Sequence, residues 1–361
     1  MIKERDKMKT IRVLIGMILL LLIIFLILKY RKNMKTADNQ CNKVADYDKK
    51  ISIWSTVAGN SNKSKLEDMN INFDKISMAT KKVFGEAISN TKYEDKECEI
   101  DTFTYFFEIK GGFEKDTYED EPYLIPYLVE DSDLAVIVVP GGGFGYKSID
   151  GKTKTGKEVA ETLNRNGINA FVLHYRSNPY EYPIPYLDLQ RAIKYLKYHC
   201  QEYGIDKNKI SLLGYSAGGN LIAHLINGIK DKDIYPRDYQ KDEIDQENSS
   251  ISSAAMIYPA MTFNDNIPML FAMFNAKDVK NNTSRKELLD LMDNTKHFTS
   301  SNVRQFISYG DSDTVVGDKE TQKYIAKAKK ENTDITVAVA KGGKHGYNQS
   351  QYMDKYLKWL K

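Results

Sequence analysis

The stretch from Lys209 to Leu225, KISLLGYSAGGNLIAHL, constrains this chain more than any other. A short apolar run ends in Gly214-Tyr215-Ser216-Ala217-Gly218, and a helical apolar pattern begins at Ala217. A strand that turns directly into a helix on a serine needs small residues two positions before and two after it, because the two backbones pass close together there. The turn exposes the hydroxyl. It also presents the Ala217 N–H at a helix N-terminus, where the helix dipole favours negative charge. Ser216 is the candidate nucleophile. A glycine-rich strand–helix turn without chemistry is the alternative, and the rest of the chain decides between them.

From residue 99 onward the pattern is one of alternating strands and helices. EIDTFTYFFEI (99–109) has the β-branched and aromatic bias of a strand, and LAVIVV (134–139) reads as a buried parallel strand. Strand-like runs recur at 169–175, 209–214, 253–259, 304–310 and 334–340. Helical patterns fall at 153–166, at 187–203 and from Ala217. Repeated strand–helix units with short connections imply an α/β fold with a mainly parallel central sheet and helices on both faces. Sites in such sheets lie beyond the carboxyl ends of the strands.

Three further loops lie at such ends. LAVIVV runs into Pro140-Gly141-Gly142-Gly143-Phe144, whose glycines let backbone N–H groups turn toward a bound carbonyl oxygen. The spacing of a phosphate loop is absent. Five histidines are present. In the Ser…Asp…His order of a nucleophile-elbow fold, the base follows Ser216. His174 and His199 precede it, His224 lies two turns into the next helix, and His297 sits in a polar connection. His345 follows the last strand in the glycine-flanked loop GGKHGY and is the candidate base. The preceding strand, RQFISYG, leads into Asp311-Ser312-Asp313, and either aspartate could orient the imidazole. The other is then expected to cap its loop through an Asx-type turn.

From about Pro122 to Tyr347 the chain resembles the bacterial esterase/lipase branch of the α/β-hydrolases, close to the feruloyl- and acetyl-xylan-esterase-like group. The stretches that carry the resemblance are IPYLVE, VIVVPGGGFGY, GINAFVLHYR, YPIPYLDLQRAIKYL, ISLLGYSAGGNL, YGDSDTVV and GGKHGY, in that order. The resemblance implies an α/β-hydrolase fold, an oxyanion hole built by Gly142, Gly143 and Ala217, and Asp313 as the acid, since it stands just before T-V-V. Proline at 140, where lipase relatives often carry histidine, fits the esterase subgroup. A serine carboxylesterase acting on short acyl groups of a carbohydrate or other small ester is the expected activity, with no metal or organic cofactor. Arg176, Asp188 and Arg191 also match, and are expected in structural ion pairs. Phe144 and Tyr146 are candidates for lining the substrate site. The polar connection 231–250 supplies no large apolar lid. An acyltransferase or peptidase would use the same three groups, and a catalytically silent interaction module would be built on the same fold.

The amino-terminal part is different in kind. VLIGMILLLLIIFLIL (13–28) is an apolar run of roughly 24 Å as a helix, and 11–30 with Arg12 snorkelling spans the hydrocarbon core. KYRKNMK follows where a cleavage site would lie, so the run is expected to be an uncleaved transmembrane helix. Basic residues on both sides nearly cancel the orientation signal, and the catalytic domain is expected outside the cell. The expected organisation is an anchor at 1–30, a polar stalk or spacer at 31–98 with helical patterning near 73–88, and a catalytic domain at 99–361. A net charge of +3 gives no reason to expect nucleic acid, and the three scattered cysteines form no metal or disulfide pattern.

Overall fold

The computed structural model describes residues 50–59, 121–144, 155–177, 180–229, 232–264, 268–299 and 302–361. The strands in chain order are β1 (Ile51–Ser52), β2 (Tyr123–Tyr127), β3 (Ala135–Val139), β4 (Asn169–His174), β5 (Ile210–Tyr215), β6 (Ser253–Ile257), β7 (Arg304–Gly310) and β8 (Ile335–Ala340). They form one sheet in the order β1-β2-β4-β3-β5-β6-β7-β8. β2 is antiparallel to both β1 and β4, and every other neighbouring pair is parallel.

The six strands expected at 134–139, 169–175, 209–214, 253–259, 304–310 and 334–340 are present as β3 to β8, with ends within two residues. Their continuous apolar runs follow from burial on both faces. In β3, Ala135, Ile137 and Val139 enter the core on one side of the sheet, and Val136 and Val138 enter it on the other. Each of the valine and isoleucine side chains contributes about 1.5–3 kcal/mol on burial. Helices α1 (Lys157–Arg165) and α8 (Met353–Leu360) bury Leu163, Tyr356 and Trp359 on one face. The opposite face is covered by α2 (Ile184–Tyr198), α3 (Ala217–Asn227) and α7 (Lys319–Lys330) through Leu187, Leu221 and Tyr324.

Some elements depart from the expected ones. α2 starts three residues before the expected Leu187, because Pro183 and Pro185 preset the first turn, and it ends at Tyr198 rather than 203. β2 carries Pro126 in its interior. The position is tolerated because β1 pairs only with Tyr123 and Leu124, so among the described residues no neighbour needs a donor from Pro126 on that side. Helices α4 (Pro268–Met273), α5 (Ala276–Lys280) and α6 (Asn282–Leu291) follow β6, in a stretch whose sequence gives no strong period.

Residues 50–59 fall within the stretch read above as a spacer, yet they supply β1 and pack into the domain. Ile53 is fully buried, Trp54 is nearly so, and the Trp54 Nε1–H donates to Asp188 at 3.2 Å. Among the described residues no helix is long and apolar enough to cross a membrane. The apolar run 11–30, the helical patterning near 73–88, the expected strand 99–109 and Tyr146 lie outside the described residues.

The strand order fixes where a site forms. The chain leaves β3, crosses one way to β4, and returns through α2 to place β5 on the other side of β3. β3 and β5 pair in parallel with Val139 opposite Gly214, so the loops that follow them start side by side and diverge. That divergence makes a crevice at the carboxyl ends of the strands.

Candidate active site

Ser216 stands at the turn between β5 and α3 with φ 51° and ψ −115°, a region costly for any residue with a side chain. The flanking glycines account for the turn. A Cβ on Gly214 would lie 2.4 Å from the Gly218 carbonyl oxygen, and one on Gly218 would lie 2.1 Å from that of Val139. No other residue type fits either place. The strained turn is clamped on both sides of its peptide. The Ser216 N–H donates to Ile257 O at 3.0 Å, and the Ser216 carbonyl accepts from Asn220 N–H at 3.0 Å.

His345 comes from the loop after β8 and Asp313 from the loop after β7, and the structure brings both to Ser216. Asp313 as a carboxylate only accepts, so His345 Nδ1–H donates to its Oδ2, at 2.8 Å. Nε2 is left to accept the Ser216 hydroxyl, at 2.9 Å. The other carboxylate oxygen of Asp313 accepts the N–H groups of Val315 at 2.8 Å and Val316 at 3.2 Å. The Asp313 side chain is 2% exposed and that of His345 20%. The Asp313 carboxyl is sealed, while the His345 ring stays partly exposed. Asp311 does something else. Its Oδ1 accepts Gly342 N–H and Lys341 approaches its Oδ2 at 3.4 Å, so it clasps the His345 loop to the end of β7. That backbone bond, with Lys341 adding to it, holds the Asp311 carboxyl below its ordinary range.

The glycine loop after β3 lies against the same turn. A Cβ on Gly141 would sit 3.2 Å from that of Ser216, and Tyr175 Oη–H donates to Pro140 O at 2.9 Å and pins the start of the loop. Gly142 and Gly143 have φ of 135° and 61°, open to glycine and costly for other residues. Phe144 also has positive φ, is fully buried, and packs against Tyr186 and Phe263. Ala217 is the first residue of α3.

The remaining histidines are elsewhere. His174 stacks on Tyr123 between β4 and β2, His199 pairs with Glu202 at the surface, and His297 meets the Asp290 carbonyl. His224 is fully buried on α3, beside Tyr182 and Tyr186. Asn294 Nδ2 donates to Met261 O, so Asn294 Oδ1 accepts His224 Nδ1–H at 3.1 Å, and Nε2 accepts the Tyr182 hydroxyl at 3.3 Å. Burial brings its pKa down to about 4.

Arg176, Asp188 and Arg191 form ion pairs away from the hydroxyl. Arg176 and Asp188 are both fully buried and meet at 2.6 Å, while Arg191 holds Asp242 and Asp245 at 2.6 and 2.7 Å. The same two arginines donate to the carbonyls of Ala58 and Ile53, which ties residues 50–59 to the domain. Tyr258 was not legible from sequence because no motif marks it, and Asn220 stands inside GYSAGGNL without its role being legible there.

A family model described as BD-FAE matches residues 124–328, more than half of the chain. The chain belongs to the BD-FAE family. Among curated proteins, this BD-FAE chain is 31% identical over 99 residues to an acetylxylan esterase of Xylanibacter ruminicola, covering 27% of the chain and 20% of that protein. It is 30% identical over 110 residues to endo-1,4-beta-xylanase B of Butyrivibrio fibrisolvens, covering 29% of the chain and 17% of that protein. It therefore spans about a fifth or less of the length of these relatives. Among solved structures, an acetyl ester-xyloside bifunctional hydrolase from Caldicellulosiruptor lactoaceticus superposes with a TM-score of 0.60 at 20% identity, over 88% of this chain and 95% of that one. The propionate-bound esterase Est2 of Thermogutta terrifontis gives 0.52 at 17% identity, over 73% and 90%. These likenesses place the BD-FAE chain in the α/β-hydrolase fold.

Proposed function

We propose that this chain is a serine carboxylesterase that removes short acyl groups of the acetyl type from carbohydrate or other small esters. The observation that carries the reading is the continuous relay Ser216–His345–Asp313 at 2.9 and 2.8 Å, at the mouth of the β3/β5 crevice. In the proposed mechanism Ser216 Oγ attacks the ester carbonyl as its proton passes to His345 Nε2. Asp313 holds the imidazole in the required tautomer and stabilises the imidazolium. The N–H groups of Gly142, Gly143 and Ala217 receive the oxyanion. The carbon–alkoxy bond breaks, and His345 returns the proton to the departing alcohol. Water then attacks the acyl-enzyme with His345 as base, the Ser216–acyl bond breaks, and the acid leaves as Ser216 regains its proton.

The preference for short acyl groups is supported by Phe144, at the end of the glycine loop, which packs against Tyr186 and Phe263 with all three rings fully buried. A carbohydrate alcohol is supported by the xylan-related names of the curated relatives. The apolar run 11–30 supports a further part of the proposal, an anchor holding the enzyme at a membrane with the catalytic domain outside.

Hydrolysis of p-nitrophenyl esters from acetyl to octanoyl by the full-length chain in mild detergent tests the reading. Turnover is expected to fall with chain length, and Ser216→Ala to lose on the order of 10⁶-fold in kcat. A folded protein that turns over none of these esters and resists a fluorophosphonate would overturn it.

A further inference from the structure

The nucleophile and the base stand on loops that never touch in sequence, yet one short turn supports both. It is Ile257-Tyr258-Pro259-Ala260, which leaves β6 between the strands that carry Ser216 and Asp313. The Ser216 N–H donates to Ile257 O at 3.0 Å, and Ala260 N–H reaches the Ser216 carbonyl at 3.4 Å. Asn220 Nδ2 donates to Ala260 O at 2.7 Å, while Asn220 Oδ1 accepts the Tyr186 hydroxyl at 2.7 Å. Pro259 packs on α3, where a Cβ on Gly219 would come within 2.8 Å of it. The turn is thus a cradle for the nucleophile's own peptide.

Its second residue reaches the other way. Tyr258 has φ 37°, is 5% exposed, and sets its ring 4.9 Å from that of His345 at 63°. A positive φ at an aromatic residue is unfavourable, of the order of 1–3 kcal/mol, and persists only where the surroundings fix it. Here Ser308 on β7 does the fixing. Its carbonyl accepts the Tyr258 N–H at 2.7 Å, and its hydroxyl accepts that of Tyr347 at 2.6 Å. Tyr347 lies two residues beyond His345, and its ring meets Tyr258 edge-on at 5.2 Å. The histidine loop and the Tyr258 backbone therefore share one anchor. Asp313 restrains His345 only through Nδ1, which leaves rotation about that bond to be limited by whatever packs against the ring.

We propose that Tyr258 is a positioning residue for catalysis, its ring holding the His345 imidazole in plane with Ser216 Oγ while its turn holds Ser216 itself. This rests on the esterase reading above. The aromatic ring is the active part, so Tyr258→Phe is expected to keep wild-type kcat within about threefold. Tyr258→Leu, which keeps bulk without a flat face, is expected to lose on the order of 10²-fold in kcat with KM little changed, the scale of a misplaced catalytic group. Tyr258→Gly relieves the backbone and is expected to lose as much.

Rates are taken per folded molecule, counted by thermal unfolding of the same sample, and repeated as the rate of fluorophosphonate labelling of Ser216. A wild type that neither turns over nor labels overturns the esterase reading. A wild type that labels, beside folded Leu and Gly variants with unchanged kcat and labelling rate, overturns the role of Tyr258 alone. A Phe variant as impaired as the Leu variant would also overturn the role given to the ring.

Discussion

Two carboxylates in this protein receive hydrogen bonds in comparable numbers and are used in opposite ways. Asp245 accepts from Arg191, from the hydroxyls of Tyr235 and Tyr239, and from the Asp242 N–H, at 2.7, 2.6, 2.8 and 3.0 Å. Its cation is permanent, and the side chains of both partners are fully buried. Asp313 accepts two backbone N–H groups and one imidazole, and in the proposed mechanism the cation it faces forms as Ser216 gives up its proton. One cluster is closed so that nothing changes. The other leaves its histidine open at one edge, as the proposed proton transfer requires. The closed cluster also grips Trp54, over which the Arg191 guanidinium lies at 4.6 Å. Charge in the first region is architecture, and in the proposed mechanism charge in the second is transient.

Substitutions separate the two. Asp313→Asn is expected to lose about 10⁴-fold in kcat with a small change in unfolding midpoint, since the amide oxygen still accepts from Val315 and Val316. Ester hydrolysis beside urea unfolding measures both, and a variant retaining a tenth of wild-type kcat would collapse the distinction. Arg191→Met is the mirror image. It leaves Asp245 and Asp242 without their cation and is expected to remove about 3–5 kcal/mol of stability. Its kcat per fluorophosphonate-titrated site should be unchanged, and a fall there would show that the clamp reaches the chemistry.

His224 lies between the two kinds of behaviour, titratable yet sealed. Its pKa is near 4 in the fold, through burial, and near 6.5 in an unfolded chain. Between those values the unfolded state binds the extra proton, so stability falls as pH drops from about 6.5 to about 4, by roughly 3 kcal/mol. Below that window both states are protonated and this contribution to the slope ends. His224→Phe is expected to flatten the curve of unfolding midpoint against pH over that window. An unchanged slope would locate the acid sensitivity elsewhere. The smallest effect is expected at Asp311, where Asn preserves acceptance from Gly342. Its kcat/KM should stay within about tenfold of wild type, the worth of one hydrogen bond, against the large loss at Asp313 two residues on.

Much of the site was legible because its signals are local. Strand, small residues and helix stand together around Ser216, and His345 follows a strand in a glycine-flanked loop. The choice between Asp311 and Asp313 was not legible from the loop itself, which offers two acids, and rested on the T-V-V that follows. What distinguishes them is which one receives the Val315 and Val316 N–H groups, a matter of loop geometry. β1 was illegible for another reason. It is two residues long, and its neighbour Trp54 is held by Asp188, 134 positions away, so no window of sequence contains the interaction. Tyr258 shows the same limit at the site. Its importance lies in a contact with a ring 87 positions further on, and nothing next to it in the chain announces this.

The family-matching stretch, 124–328, begins inside β2 and ends inside α7. A fragment with those bounds would keep Ser216 and Asp313 and lose β1, β8 and His345. The sheet would then end in two raw margins, with β2 stripped of β1 and β7, whose central residues are buried, stripped of β8. Such margins invite pairing with another chain. The outermost strands thus shield the margins of the sheet, and the last of them also delivers His345, the proposed base, so shortening the protein at that side is expected to cost activity and dispersion together.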